Sequence, residues 1–273
     1  MAKIISPCHI DPKAEVAEDV EVGPFCFIGA GVKVGARTRL MSHVTLLGPM
    51  TLGEDNVVFP YTVLGGAPQD LGYQGEPTSL EVGSHNVIRE FVSINRGTIK
   101  SSGVTKVGSH NLIMATAHIG HDCDVGNYVI LSNGVLLAGH CRVEDRAIIS
   151  GAVGFHHFVT VGKSAFVGGM SATSSDVPPF MISEGRPMRV RTVNVVGLRR
   201  QGYSAETIEV LKRACLTLFH SETLRKDALA SLEPEALKCP ELTYLLDFMK
   251  ASDVGKHNRA LERFRKQPSP EQA

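Results

Sequence analysis

The chain has 273 residues, 28 basic against 28 acidic, and 43% of them are hydrophobic. That length and apolar content allow one large domain or two ordinary ones, with a sizeable core and no need of disulfide staples. Zero net charge excludes a general nucleic-acid or membrane-surface binder, so charge-based recognition must be local.

The first residues, MAKIISPCHI, lack the long apolar run of a signal peptide, and no run of about 18 apolar residues suggests a membrane span. The expected compartment is the cytoplasm, without stable membrane insertion. The six cysteines contain no CxxC pair and are expected there as reduced thiols.

From the N-terminus, Ile4, Ile10, Val16, Val22, Ile28, Val34, Leu40, Leu46, Leu52, Val58 and Leu64 recur at every sixth position, many followed by Gly. Neither a helix nor a simple strand has this period. It fits very short strands separated by bends, with the glycines expected to supply φ > 0 at the bends. Such strands gain stability by stacking, so the reading is a parallel β-helix. Between Leu64 and Val82 the Gly- and Pro-rich GGAPQDLGYQGEPTSLE breaks the pattern. It is expected as an external loop near 65–80 that replaces one full coil. Val82, Ile88 and Ile94 resume the register, and NRGTIKSSGVTK forms a second excursion near 95–106. Val107, Ile113, Ile119, Val125, Leu131, Leu137, Val143, Ile149, Phe155, Val161 and Val167 then complete a second array.

The pattern fades after Val167, and Pro178-Pro179 is a strong breaker. The expected division is a β-helix over 1–182, a linker over 183–203 and a helical region over 204–273. Ser204 is a candidate N-cap for a helix whose stripe is Ile208, Leu211, Ala214, Cys215 and Leu218. Further helices are expected at Ser221–Leu232 and Pro240–Ala251, with a fraying last helix from Lys256 and a disordered end.

If three hexads make one coil, residues 18 apart stack. His121, Gly139 and His157 then lie on one corner of successive coils, flanked by His140 and His156, with His118 one short step away. All fall outside the apolar register and are expected to point outward. Two chemistries suit the cluster. A metal site would use neutral imidazoles, as β-helical carbonic anhydrases do, but their ligand histidines are five apart whereas His118 and His121 are three apart. General-base catalysis would use one imidazole oriented by Asp122 or Asp124, and no metal.

The words HIGHDC, LLAGH, GFHHF, PQDLGYQGEPT, IREFVSINRGT, DVPPF and VGLRRQGYS together resemble the UDP-N-acetylglucosamine acyltransferases that open lipid A biosynthesis, over nearly the whole chain. The resemblance implies a left-handed β-helix with a small C-terminal α-helical domain, forming a homotrimer with sites between subunits. It implies His121 as the general base for the sugar 3-hydroxyl, Asp122 as its orienting carboxylate and the Gly139 N–H as oxyanion donor. Attack is then direct, with no acyl-enzyme. It assigns Gln69, Asp70, His118, His140 and His156 to substrate binding, Asn194 and Arg200 to the uridine diphosphate, and Gly169 to a groove left open for a long acyl chain. No cofactor is implied beyond the 4'-phosphopantetheine that carries the acyl group on its acyl carrier protein. That partner is acidic, and Arg186, Arg189, Arg191, Arg199 and Arg200 stand in a stretch without carboxylates. The chain departs from the family pattern at Gly72, Val196 and Gln201, where a lysine, an acidic residue and an arginine are usual. These leave open whether the acceptor is the hydroxyl sugar, its 3-amino analogue or another nucleotide sugar. Two other readings stand beside this one, an acetyl-CoA-dependent hexapeptide acetyltransferase and a non-catalytic binding scaffold.

Overall fold

The computed structural model describes residues 2–265. Its larger part is a left-handed parallel β-helix of three sheets with 11, 9 and 8 strands, most strands being two residues long. Strands pair with those one coil away, as Ile4 over Val22 and Ile113 over Leu131. In most of the two-residue strands the second residue points inward, and in Val32–Val34 and Met50–Leu52 the first and third do. From Val22 to Val167 these residues form one continuous buried ladder, which the solvent-facing residues beside it cannot supply because strand side chains alternate. A second inner row, two residues earlier, carries polar side chains on several coils: Thr38, Asn56, Asn86 and Asn111 are buried there. Asn86 Nδ2 donates to Asn56 Oδ1 at 3.0 Å and to the Gly108 carbonyl at 3.0 Å, while the Asn111 N–H donates to Asn86 Oδ1 at 2.9 Å. The buried amides are thus satisfied by one another and by the bends above and below.

The bends correct one expectation. Gly35 and Gly53, which follow the ladder residues, are not at positive φ; a Cβ on Gly35 would fall 2.6 Å from the Gly53 carbonyl carbon. Their smallness lets successive coils approach. The left-handed residue comes three positions after the ladder residue and is seldom glycine: Phe25, His43, Tyr61 and Phe91 hold it on one edge, and His85, His110, Tyr128 and Arg146 on another. Stacking offsets the steric cost. Phe25, His43, Tyr61 and Phe91 stack at centroid separations of 4.8–5.1 Å.

The first excursion does not replace a whole coil. Val82 lies over Leu52, 30 positions away, so the loop takes one side of a coil and adds twelve residues to it. The second adds seven, since Val107 lies over Val82. Both are tied down: Asn95 Nδ2 donates to the Ala67 carbonyl at 2.8 Å, and Arg96 reaches the Gly48 and Gly65 carbonyls and the Tyr73 hydroxyl.

The coil is closed unevenly. At its start Ile4 and Ile5 are 47% and 50% exposed. At its far end an antiparallel pair, Met181–Gly185 with Met188–Val193, joins the eleven-stranded sheet, and α1 (Val195–Arg200) follows. The stretch 183–203 is therefore folded rather than a bare linker. Beyond it α2 (Ala205–Phe219), α3 (Arg225–Ala236) and α4 (Pro240–Val254) pack Leu211, Leu218, Leu242 and Leu245 into a second core with Phe180 and Met181. Ser204 caps α2 through its Oγ, which accepts from the Thr207 N–H at 3.1 Å. From Lys256 there are two short 3-10 turns, Lys256–Asn258 and Ala260–Phe264, in place of the expected helix. The disordered end expected beyond them lies outside the described residues.

Candidate active site

His121 and Asp122 end a two-residue strand, His118–Ile119, through a tight bend whose left-handed residue is Asp122 at φ 60. That conformation turns the carboxylate inward beneath the second excursion. There Asp122 Oδ1 accepts from the Thr98 N–H at 2.8 Å, and Oδ2 accepts from the Thr98 hydroxyl at 2.7 Å. The Asp122 N–H donates to Thr105 Oγ1 at 2.8 Å. Asp122 Oδ2 also lies 2.8 Å from His121 Nδ1. Of the two carboxylates open to sequence reasoning, Asp122 meets the imidazole; Asp124 faces Arg142 at 3.4 Å.

Burial alone would raise the Asp122 pKa, but the hydrogen bonds from His121 and Thr98, with His140 nearby, hold it below the ordinary carboxylate range. The carboxylate is therefore charged and fixed. It commits Nδ1 of His121 and leaves Nε2 for proton transfer. The histidines lie outside the apolar interior, as expected, yet His121 is only 6% exposed.

One coil on, Gly139 lies against the His121 ring: a Cβ there would meet His121 Cε1 and Nε2 at 2.5 and 2.6 Å. The neighbouring amides are taken, Ala138 N–H by the Phe155 carbonyl and His140 N–H by that of His121, while the Gly139 N–H has no acceptor among the described residues. His140 places Nε2 3.7 Å from Asp122 Oδ2. Burial lowers its pKa to about 4 despite the attraction of Asp122, so it stays neutral near pH 7.

A hollow of about 880 Å³ joins this corner to both excursions and to the C-terminal turns. Gln69, Asp70, His121, Asp122 and His140 line it together with Lys100, His157, Phe158 and Arg265. The other candidates lie elsewhere in the chain. His118 and His156 border a second, apolar hollow with Leu136, Phe155 and Arg186, so the histidine corner divides between two sides. Ser93 Oγ holds His118 Nδ1 at 2.8 Å, and burial, with His121 close by, lowers the His118 pKa. Gly169 sits on a different bend, beside Gly151 and Ser150. Asn194 is the N-cap of α1: its Oδ1 accepts from the Gly197 N–H at 3.1 Å, and its Nδ2 donates to the Ser164 carbonyl at 3.0 Å. Arg200 is exposed in the last turn of α1, and all five arginines of the basic stretch are exposed.

The departures also gain a setting. Gly72 leaves room that Lys100 fills: a Cβ at 72 would stand 2.7 Å from Lys100 Nζ, which pairs with Asp70 at 2.7 and 2.9 Å. The second excursion thus brings an ammonium group to the place where the first lacks a side chain. Gln201 turns inward, its Oε1 accepting from Ser164 Oγ at 2.6 Å. Thr98 and Lys100 could not be found by hexad spacing because the excursion breaks the register.

His121, Asp122 and His140 are the one grouping among the described residues whose metal-type donor atoms all lie within 4.8 Å of one another. The shared carboxylate oxygen already accepts from Thr98 and His121, so a cation there would compete with both partners. The arrangement suits proton transfer.

A coil stacked from six-residue repeats, with a buried His–Asp pair beside a glycine amide unpaired among the described residues, defines a hexapeptide-repeat transferase, and residues 105–139 match the bacterial transferase hexapeptide family. Residues 176–257 match UDP-N-acetylglucosamine O-acyltransferase domain 2. The chain belongs to the acyl-[acyl-carrier-protein]–UDP-N-acetylglucosamine O-acyltransferase family. It is 45% identical to the enzyme of that name from Thiobacillus denitrificans and 43% to that from Thermodesulfovibrio yellowstonii, each alignment covering 93% of this chain and 99% of the relative. A solved UDP-N-acetylglucosamine acyltransferase from Francisella novicida superposes with a TM-score of 0.88 at 36% identity, covering 90% of this chain and 91% of that one.

Proposed function

We propose that the chain transfers a 3-hydroxyacyl group from acyl carrier protein to the 3-hydroxyl of UDP-N-acetylglucosamine, the first step of lipid A biosynthesis. Family membership supports the reaction, and one observation carries the mechanism: Asp122, buried and held by Thr98, fixes His121 with Nδ1 at 2.8 Å. His121 Nε2 takes the hydroxyl proton as the sugar oxygen attacks the thioester carbonyl. The Gly139 N–H receives the developing oxyanion. The C–S bond then breaks, and the proton passes from His121 to the departing phosphopantetheine thiolate. No acyl-enzyme forms and no metal takes part.

The placement of His118, His156, Gly169, Asn194 and Arg200 away from the His121 hollow within one chain supports sites completed by a second copy in a homotrimer. Gly169, lacking a side chain, leaves the acyl groove open to a long chain. The exposed arginines from Arg186 to Arg200 receive the acidic carrier. The reaction proceeds in the cytoplasm; among the described residues no helix is long and apolar enough to cross a membrane. Lys100, paired with Asp70, stands where Gly72 lacks a side chain, which favours retention of the usual acceptor over the 3-amino sugar.

The test is mass-spectrometric acyl transfer with the hydroxyl and 3-amino sugars against ten- and fourteen-carbon 3-hydroxyacyl carriers and acetyl-CoA. The expected outcome is fastest transfer of the fourteen-carbon chain to the hydroxyl sugar, with His121→Ala slower by about 10²–10⁴-fold. Acetyl-CoA as the best donor, or an unaffected His121→Ala enzyme, would refute it.

A further inference from the structure

We propose that the C-terminal turns form a strap over the catalytic hollow and that its Arg265 binds a substrate phosphate, an inference that rests on the transfer reading above. The match to the family's second domain ends at residue 257, within the first of these turns, and Leu261, Phe264 and Arg265 lie beyond it. This segment is anchored to the coil. The Ala260 N–H donates to Asp176 Oδ2 at 2.8 Å, the Asp176 N–H donates to the Asn258 carbonyl at 2.9 Å, and Ser252 Oγ donates to that same carbonyl at 2.9 Å. Arg259 is buried and donates to the Ser174 carbonyl and, through Nε at 2.9 Å, to Glu262 Oε2. The anchored turn places Leu261, Phe264 and Arg265 in the wall of the hollow that holds His121.

Arg265 is oriented on two sides. Its Nε lies 2.6 Å from Oε1 of the buried Glu262, and its guanidinium carbon lies 4.8 Å from the centroid of Phe158. Phe158 in turn stacks on His140 at 4.4 Å with an interplanar angle of 4°. Glu262 serves both Arg259 and Arg265, so two guanidinium groups share one carboxylate and the strap carries a surplus positive charge. Across the hollow Lys100 is matched by Asp70, and Arg142 by Asp124. Glu76 and Asp122 also line the hollow, so the positive charge that Glu262 leaves unmatched is local to the strap. A planar guanidinium held on an aromatic platform, with part of its donor edge toward solvent, suits a phosphate oxygen pair. Both substrates carry such a group: the diphosphate of the nucleotide sugar and the phosphate of the pantetheine arm.

Steady-state kinetics of full-length Arg265→Ala and Arg265→Lys, with each substrate varied in turn, distinguish the two sources. Calorimetric binding of UDP-N-acetylglucosamine and of 4'-phosphopantetheine reads the same contact without turnover. In Arg265→Ala, the KM of one substrate and the Kd of its matching probe are expected to rise about tenfold or more, with kcat within about threefold of the wild type and partial recovery in Arg265→Lys. A rise confined to the nucleotide sugar assigns the diphosphate; one confined to the carrier and phosphopantetheine assigns the pantetheine phosphate. If the wild type transfers acyl groups and neither KM nor either Kd changes, the strap assignment is overturned while the transfer reading stands. If the wild type transfers nothing, the transfer reading fails, and an unchanged Kd for both probes in Arg265→Ala overturns the strap assignment as well.

Discussion

Gly139→Ala isolates the position of the base from its chemistry. The new Cβ would stand 2.5–2.6 Å from two atoms of the His121 ring, whereas carbon atoms in contact prefer about 3.5–4.0 Å. The imidazole must move by about 1 Å. Its bond to Asp122 starts at 2.8 Å, so a retreat of that size carries it past hydrogen-bonding range. The Gly139 N–H remains, since alanine has one too, and the backbone there is not at positive φ. The loss should therefore appear in kcat, by about 10²-fold as a misplaced group of this kind costs. Overpacking adds about 1–3 kcal/mol of destabilisation, which leaves the protein folded. The assay is kcat and KM for both substrates, with thermal unfolding run alongside. A kcat within threefold of the wild type would refute the close seating of His121 on Gly139, and a collapsed unfolding transition would show that the glycine serves the coil rather than the base.

Acidification should weaken the fold between about pH 6.5 and 4. His140, with a pKa of about 4 in the folded chain, takes up its proton later than in the unfolded chain, and His118 shifts the same way; the unfolded state binds more protons in that window, so stability is full above it and is lost as pH falls. Asp122, lowered in the folded state, adds to the loss at its acidic end, while Asp176, raised to about 6, opposes it. A net fall on the order of 1–3 kcal/mol is expected, and urea midpoints of the wild type and His140→Gln at pH 7 and pH 5 check it: the loss should shrink in the variant. Replacing Asn86 by Ala removes donors to Gly108 and Asn56 and an acceptor for the Asn111 N–H inside the coil. At about 1–3 kcal/mol for each group left unsatisfied, the urea midpoint should fall clearly while kcat is preserved; an unmoved midpoint would argue against the amide ladder.

The ladder from Val22 to Val167 was readable because the interior of a narrow coil accepts one kind of residue at one spacing. The step of 18 likewise brings His121, Gly139 and His140 to one corner by spacing alone. Legibility ended where the register broke. Thr98 and Lys100 stand on an excursion whose path depends on Arg96 reaching three partners far away in sequence. The bends defeat sequence reading because glycine ordinarily signals a turn, whereas here close approach of coils demands the glycine and stacking supports Phe25, His43 and Tyr61 in the left-handed conformation. Asn194 carried a motif but no sign that both ends of its amide are committed at a helix start. The division of the histidines between two hollows depends on the corner of the coil, since His118 lies in the strand before the bend and His121 in the bend itself.

The uneven closure of the coil gives the molecule a direction of tolerance. Each turn leans only on the turns before and after it, and the chemistry occupies the later turns, under the excursions and the strap. The first turn, where Ile4 and Ile5 are half exposed, lies several turns from the site, so a change in coil length there leaves the distance between His121 and Gly139 untouched. Insertions elsewhere must respect a three-sided register, whereas the N-terminal end behaves as an adjustable margin against which evolution or an engineer can change the length of the molecule and keep its reaction.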